Sequence, residues 1–514
     1  MSPINVLLDE VLLDLFDFYL NMGTPYGKTE IEAWQTLVHV CRRWRSLVLQ
    51  SPRRLNLRLF CTHRTPARDK LDIWPALPLI IDDNDMTFVS NMGNTIAALG
   101  QSNRVVKAVL EYLERWQLEE VLAAMQVPFP GLEDLRLLAC DETVPVIPDS
   151  FLGGSVQHLR IFELGGIPFT GLILQNLFLP ATRLVDLNLY AIPLSWYISP
   201  EAIVALLSGL SGLRTFYLGF RYPRYGSGRE TPNLPPRKRS ILPDLQKFGF
   251  NGVTEYLEDL ITCIDTPRLN KMYITFYDPI DIDCPQLAQF MYRTPKLGAC
   301  DLAHVEFTDG TANVALRSKA VVDERLRISM IADRQLSSIE QVCNTITLPL
   351  LSMVEDLSIN DRWSRPALMD DAIEDTLWLR LFLPFTRVKN IYLCKRFAPG
   401  IAVALQELVE GRITEVLPNL QNIFVERLEP SGPFQENIRQ FVAARQLSDH
   451  NIAISNWVND FDRDEDSDRV EDSDRDENSD RDEDSDRIED SDRVEDSDWV
   501  EDSDRFEDSD VESM

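Results

Sequence analysis

The chain has 514 residues, 44% of them hydrophobic, and a formal net charge of −31. Residues 461–514 hold 28 Asp/Glu and 7 Arg, a net of −21, which leaves −10 for residues 1–460. That sign excludes binding duplex DNA or an anionic membrane surface by neutralising phosphates.

From the N-terminus, residues 4–20 predict a helix. Leu7, Leu8, Val11, Leu12, Leu15, Phe16 and Tyr19 recur at helical spacing, in a stripe wider than one packing face needs. Gly23, Pro25 and Gly27 then supply turn chemistry. A second helix is predicted from about residue 30 to 50, with Trp34, Leu37, Cys41, Trp44 and Val48 on one side, stopped at Ser51-Pro52. Fifty residues are too few to bury a stable core alone, so both stripes need a partner. Leu55-x-Leu57-x-Leu59 next alternates like a strand.

Beyond residue 100 an apolar triad recurs, spaced Φ-x-x-Φ-x-Φ. Its copies are Leu132/Leu135/Leu137, Leu159/Phe162/Leu164, Leu184/Leu187/Leu189, Leu213/Phe216/Leu218, Leu245/Phe248/Phe250, Leu269/Met272/Ile274 and Leu297/Cys300/Leu302. Val354/Leu357/Ile359, Val388/Ile391/Leu393 and Leu420/Ile423/Val425 complete the series, and Val105/Ala108/Leu110 precedes it. Steps run from 24 to 34 residues, except for one of 57 after Leu297, where a degenerate copy is expected near Leu326–Ile331. Helical segments follow many triads, among them residues 200–207, 253–264, 371–382 and 434–445. Strand and helix alternating at this period predict a solenoid.

From residue 461 a hexad takes over, with Glu at 465, 471, 477, 483, 489, 495, 501 and 507. Its charge and low hydrophobicity predict a disordered acidic tail. Ser473 and Ser479 within it suit an acid-directed kinase. Residues 221–240 carry six Arg or Lys among Pro and Gly, a solvated loop and a candidate seat for acid.

Chemistry-bearing motifs are scarce. The eight cysteines form no CxxC, and the five histidines (39, 63, 158, 304 and 450) show neither ligand spacing nor a nucleophile motif. Asp281 and Asp283 read as a solvated turn. Gly153-Gly154 and Gly165-Gly166 lack a phosphate-loop context. The expectation is no catalytic residue, no metal and no cofactor. With no secretory leader pattern and no apolar run near ~18 residues, a soluble protein of the cytoplasm or nucleus is expected.

Two segments carry a family resemblance. Leu7-Leu8-Asp9-Glu10-Val11-Leu12-Leu13-Asp14-Leu15-Phe16 resembles the opening of the F-box, a three-helix module that docks on the Skp adaptor of cullin-RING ubiquitin ligases; Leu8 stands where the family has proline. Leu37-Val38-His39-Val40-Cys41-Arg42-Arg43-Trp44-Arg45 resembles the family's second signature. Residues 6–460 look like a large fungal, mushroom-type set of F-box-like proteins, whose Trp34-to-Arg45 pattern is followed by Ser51-Pro52-Arg53-Arg54-Leu55. The triads resemble irregular leucine-rich repeats, in which only Cys140 matches the family's Asn/Cys ladder position.

The resemblance implies an α/β chain with an F-box-like helical module (1–54), a linker and first atypical repeat (55–104), a leucine-rich-repeat-like solenoid (105–460) and the tail (461–514). It implies adaptor contacts by Leu7, Leu8, Glu10, Val11, Leu12, Leu15, Phe16, Val40 and Trp44, and an unknown protein client on the solenoid. The alternative expectation is a scaffold whose F-box-like helices only cap the repeats, as solenoid ends require.

Overall fold

In the computed structural model, the described residues are 7–457, apart from segments 22–32, 63–70, 72–75, 84–91, 222–238, 278–283, 362–374, 410–411 and 429–431 and positions 142, 299, 309, 320, 333, 346 and 413. The acidic hexads, Asp281, Asp283, His63 and most of the basic loop therefore lie outside the described residues.

Three helices come first: α1 (Asp9–Asn21), α2 (Ala33–Val40) and α3 (Arg42–Gln50). The single helix predicted over residues 30–50 is two. Cys41 is extended (φ −160°, ψ 169°) and its sulfur accepts from the Trp44 N–H at 3.5 Å, which caps α3. Cys41 is thereby exposed rather than part of the apolar stripe. Arg45 Nε donates to the Val38 carbonyl at 3.0 Å, closing one orphan acceptor at the end of α2. Leu12, Leu13 and Phe16 of α1 pack with Trp34, Leu37 and Val38 of α2 and Val48 of α3 in one core.

That core continues into a sheet. Leu55 and Leu57 are buried in a turn and the irregular segment after it, not in the strand their alternation predicts. Strand β1 (Leu59–Cys61) starts only at Leu59, and Trp34 Nε1 donates to the Arg58 carbonyl at 3.0 Å just before it. β2 (Leu79–Asp83), β3 (Val105–Leu113), β4 (Asp134–Ala139), β5 (Ile161–Gly165), β6 (Asp186–Ile192) and β7 (Thr215–Phe220) then add in order, all parallel. The sheet thus begins within residues 55–104. β8 (Ser240–Ile241) and β10 (Ile264–Asp265) form a small separate pair, while β9 (Lys247–Gly252) and β11 (Lys271–Tyr277) extend the main sheet.

The triads explain this regularity. A strand sends alternate side chains to one face, so the second and third triad members stack in register under the helices. Phe162 sits beside Leu187, Leu187 beside Phe216, and Phe216 beside Phe248, all fully buried. The first member is buried in the turn before the strand, as Leu159, Leu184 and Leu213 are. Full burial of one such side chain is worth about 1.5–3 kcal/mol. Ladder chemistry appears at the position that matches the family: the Cys140 thiol lies 3.4 Å from the carbonyls of Tyr112 and Leu113 on β3.

The 57-residue step is an antiparallel insertion. β12 (Leu302–Thr308), β13 (Thr311–Ser318) and β14 (Val321–Ile331) enter the sheet in the order β11-β14-β13-β12-β15, with β15 at Asp356–Asp361. β13 runs against both neighbours. The copy expected near Leu326–Ile331 is thus the return strand of a meander, with Leu326, Ile328 and Met330 beside Met272, Ile274 and Phe276. Thr308 pairs with Thr311, and Gly310 (φ 73°) just before Thr311 has a left-handed backbone that suits glycine.

The neighbouring triad is also displaced. Leu302 is half-buried, and the buried set is Cys300, Ala303 and Val305, three residues later than read from the sequence. Phe307 of β12 then meets Trp378 (ring centroids 6.2 Å apart) and Phe397 (4.9 Å), tying the insertion to the next units. β16 (Asn390–Leu393), β17 (Asn422–Glu426) and β18 (Ala453–Trp457) complete the sixteen-stranded sheet in parallel. Among the described residues no helix is long and apolar enough to cross a membrane.

Candidate functional site

Two surfaces stand apart from the core. The first lies on α1. At roughly 100° per residue its side chains fall into three sectors. Leu12, Leu13 and Phe16 form the buried sector, Glu10, Asp14 and Asp17 a solvated one, and Leu8, Val11, Leu15, Phe18 and Tyr19 an apolar sector left in solvent. Leu8 is 71% exposed and Leu15 49%, against 1% for Leu12. Val40, at the end of α2, is 56% exposed.

The expected adaptor residues therefore divide. Leu8, Glu10, Val11, Leu15 and Val40 reach solvent. Leu12 and Phe16 do not, because they are the anchors that seat α1 on α2. Leu7 and Trp44 are half-buried, with the Trp44 ring 4.7 Å from that of Phe16. Arg43 fixes the start of α1 by donating to Asp9 Oδ1 (2.6 and 3.0 Å) and to the Leu7 carbonyl (2.5 Å). Phe18 is the member that the sequence reading missed. Its spacing of three from Leu15 was the available signal.

The second surface is the open face of the sheet, opposite the triads. Alternation brings Arg136, Glu163, Asn188, Tyr217, Gly249 and Tyr273 into one row across β4 to β11. Asp186, Thr215, Lys247 and Lys271 form the row below. Between Glu163 and Tyr277 this face sinks into a hollow of ≈ 560 Å³.

Glycines make room for its aromatic walls. A Cβ on Gly249 would stand 2.1 Å from Tyr217 Cδ2, and one on Gly165 would stand 2.5 Å from Tyr190 Cε2. Each tyrosine thus lies across the glycine of an adjacent strand. Tyr190 donates to Glu163 Oε1 at 2.8 Å, Tyr277 donates to the Phe220 carbonyl at 2.7 Å, and Asn251 hydrogen-bonds the Tyr217 and Tyr277 phenols. Tyr190 and Tyr217 meet edge to face at 6.2 Å, so the walls hold one another in place.

Burial raises the phenol pKa of Tyr217, helped by nearby Tyr277, and that of Tyr277 itself, each to about 12. Burial and then the bond to Glu163 move Tyr190 in the same direction. Unfolded phenols ionise near ~10. Protonated Tyr217 and Tyr277 therefore favour the folded state fully below that pH, and the contribution disappears between about 10 and 12. Followed by phenolate absorbance, the thirteen tyrosines are expected to ionise in two groups, the later one with alkaline unfolding. All thirteen ionising together near pH 10 in a folded chain would contradict this packing.

Among the described residues no group of three or more His, Cys, Asp or Glu is placed to hold a metal ion. His39, His158 and His450 are exposed and His304 is half-buried on β12.

No family model matches the chain, and no curated protein matches it. Among solved structures, the leucine-rich repeat-containing protein LegL7 from Legionella pneumophila aligns at 12% identity over 75% of this chain and 97% of that one, with a TM-score of 0.26. The chain's own topology defines its class: a mixed α/β protein of strand–helix units on one long, mostly parallel sheet.

Proposed function

We propose that this chain is the client-binding subunit of an SCF-type ubiquitin ligase. Leu8, Val11, Leu15 and Val40 meet a Skp-type adaptor, and the open face of the sheet holds a protein client. The observation that carries this reading is the double use of α1: its Leu12–Phe16 side is spent on the core, and a second apolar side stays uncovered. Uncovered apolar stripes on helices mark partner sites. Long repeat sheets present extended binding surfaces, which supports the client role.

In this reading the chain does no covalent chemistry. It raises the effective concentration of a bound client near a ubiquitin-loaded enzyme. The scaffold alternative draws on the same helices, because Trp34, Leu37 and Val38 help close the β1 end of the core. Calorimetric titration of purified Skp-type adaptor into the full chain separates the two. Saturable 1:1 binding is the expected result. A folded chain that releases no heat and shifts no sedimentation boundary with adaptor present supports the scaffold.

A further inference from the structure

The hollow on the open face has a chemistry of its own, and assigning it an occupant rests on the reading of that face as the client surface. Three strands place polar groups there that lack partners. Neither the Asn188 carboxamide nor the Thr215 hydroxyl has a hydrogen-bond partner among the described residues. Lys247 has no acidic partner among them; its ammonium lies 5.2 Å from the centre of the Tyr273 ring. Lys271 stands directly opposite Lys247 on the next strand.

At the other rim Arg221 makes one long contact, 3.4 Å to the Asp141 carbonyl, and no ion pair among the described residues. Glu163, the acid of the hollow, is already engaged by Tyr190 and lies 3.7 Å from Arg136. Within the lining, Lys247 and Arg221 therefore keep unpaired positive charge, beside an amide, a hydroxyl and rigid aromatic faces; Asp186, also without an ion pair among the described residues, stands outside the lining, two strands from Lys247.

We propose that this hollow binds an extended acidic peptide segment: Lys247 and Arg221 take its carboxylates, Asn188 and Thr215 pair with its backbone amides, and the joined rings of Tyr190 and Tyr217 form a wall against which one side chain packs. A carboxamide offers one donor and one acceptor edge, which matches a peptide unit. Tyrosine faces supply contact area at little entropic cost because their rotamers are already fixed. The cations are local to the hollow, since residues 1–460 carry a net charge of −10. An acidic segment is therefore favoured at this place and repelled by most of the remaining surface.

The test is selection of random octapeptides on the immobilised full chain, with no adaptor present. Sequences bearing Asp or Glu are expected to enrich at least tenfold over those bearing Lys or Arg. Lys247→Glu, a change at an exposed position, is expected to abolish or invert that preference, and Tyr217→Ala to weaken a selected peptide at least tenfold. Leu8→Asp/Leu15→Asp is expected to leave the selection unchanged, so failure here is separable from failure of adaptor binding. No enrichment, or an acidic preference that survives Lys247→Glu, would overturn the proposal. Free succinate displacing the peptide at equal concentration would overturn it as well, because the site would then recognise carboxylate alone.

Discussion

Replacing Leu8 and Leu15 together by aspartate is expected to lower affinity for a Skp-type adaptor by roughly a thousandfold while leaving the fold intact. Both side chains are largely in solvent, so nothing in the core is lost. In a complex they would be desolvated at the centre of an apolar contact, where anchors are worth about 2 kcal/mol or more each. Two such losses give about 4 kcal/mol, and each 1.4 kcal/mol is tenfold. Titration of the same adaptor into parent and variant measures the ratio, and circular dichroism verifies the fold. A ratio below about tenfold would remove α1 from the interface.

Leu12→Asp is the contrasting change. Leu12 is 1% exposed, among Phe16, Trp34 and Leu37. The variant loses a packed leucine and places a carboxylate where no cation waits, costing about 4 kcal/mol or more. In a chain built of units in series, such damage stays near its origin. Hydrogen exchange is therefore expected to lose protection over α1–α3 and β1 while β4–β11 remain slow. Unchanged protection in α1–α3 would show that Leu12 is not an anchor. Leu12 is for the same reason unsuited to testing adaptor binding: an unfolded module fails to bind for trivial reasons.

Much of the fold was legible because one rule generates it. A triad whose second and third members share a strand face is a strong signal when repeated, and the strands from β3 to β11 in the main sheet lie where the triads place them. The rule carries no direction, however. Alternation looks the same in a parallel and an antiparallel strand, so Leu326, Ile328 and Met330 read as one more repeat instead of the end of a meander. Side-chain size also misled: Leu302 outranks Ala303 as a core candidate, yet the register buries Ala303. Cys41 passed for a stripe residue because its break depends on a weak sulfur cap, which leaves no pattern in spacing.

The candidate site was half legible. Helical spacing identified a stripe on α1 too wide for one contact, but not which half would be spent on the core. That depends on where α2 docks, a tertiary fact. The hollow on the open face went unread for a different reason. The triads mark the buried positions, and recognition uses the alternate ones. Gly165 and Gly249 within strands were the visible hint, since a strand glycine often marks a close approach. What approaches them, the rings of Tyr190 and Tyr217, is fixed only by the register between strands.

The central claim is that α1 offers its free apolar side to an adaptor while the sheet stays available for a client. Hydrogen exchange of the full chain with and without purified Skp-type adaptor tests it most directly. The expected result is added protection within residues 8–19 and 33–44, and none on β5–β9. Protection that never appears at saturating adaptor, or that falls on the open face instead, would contradict it.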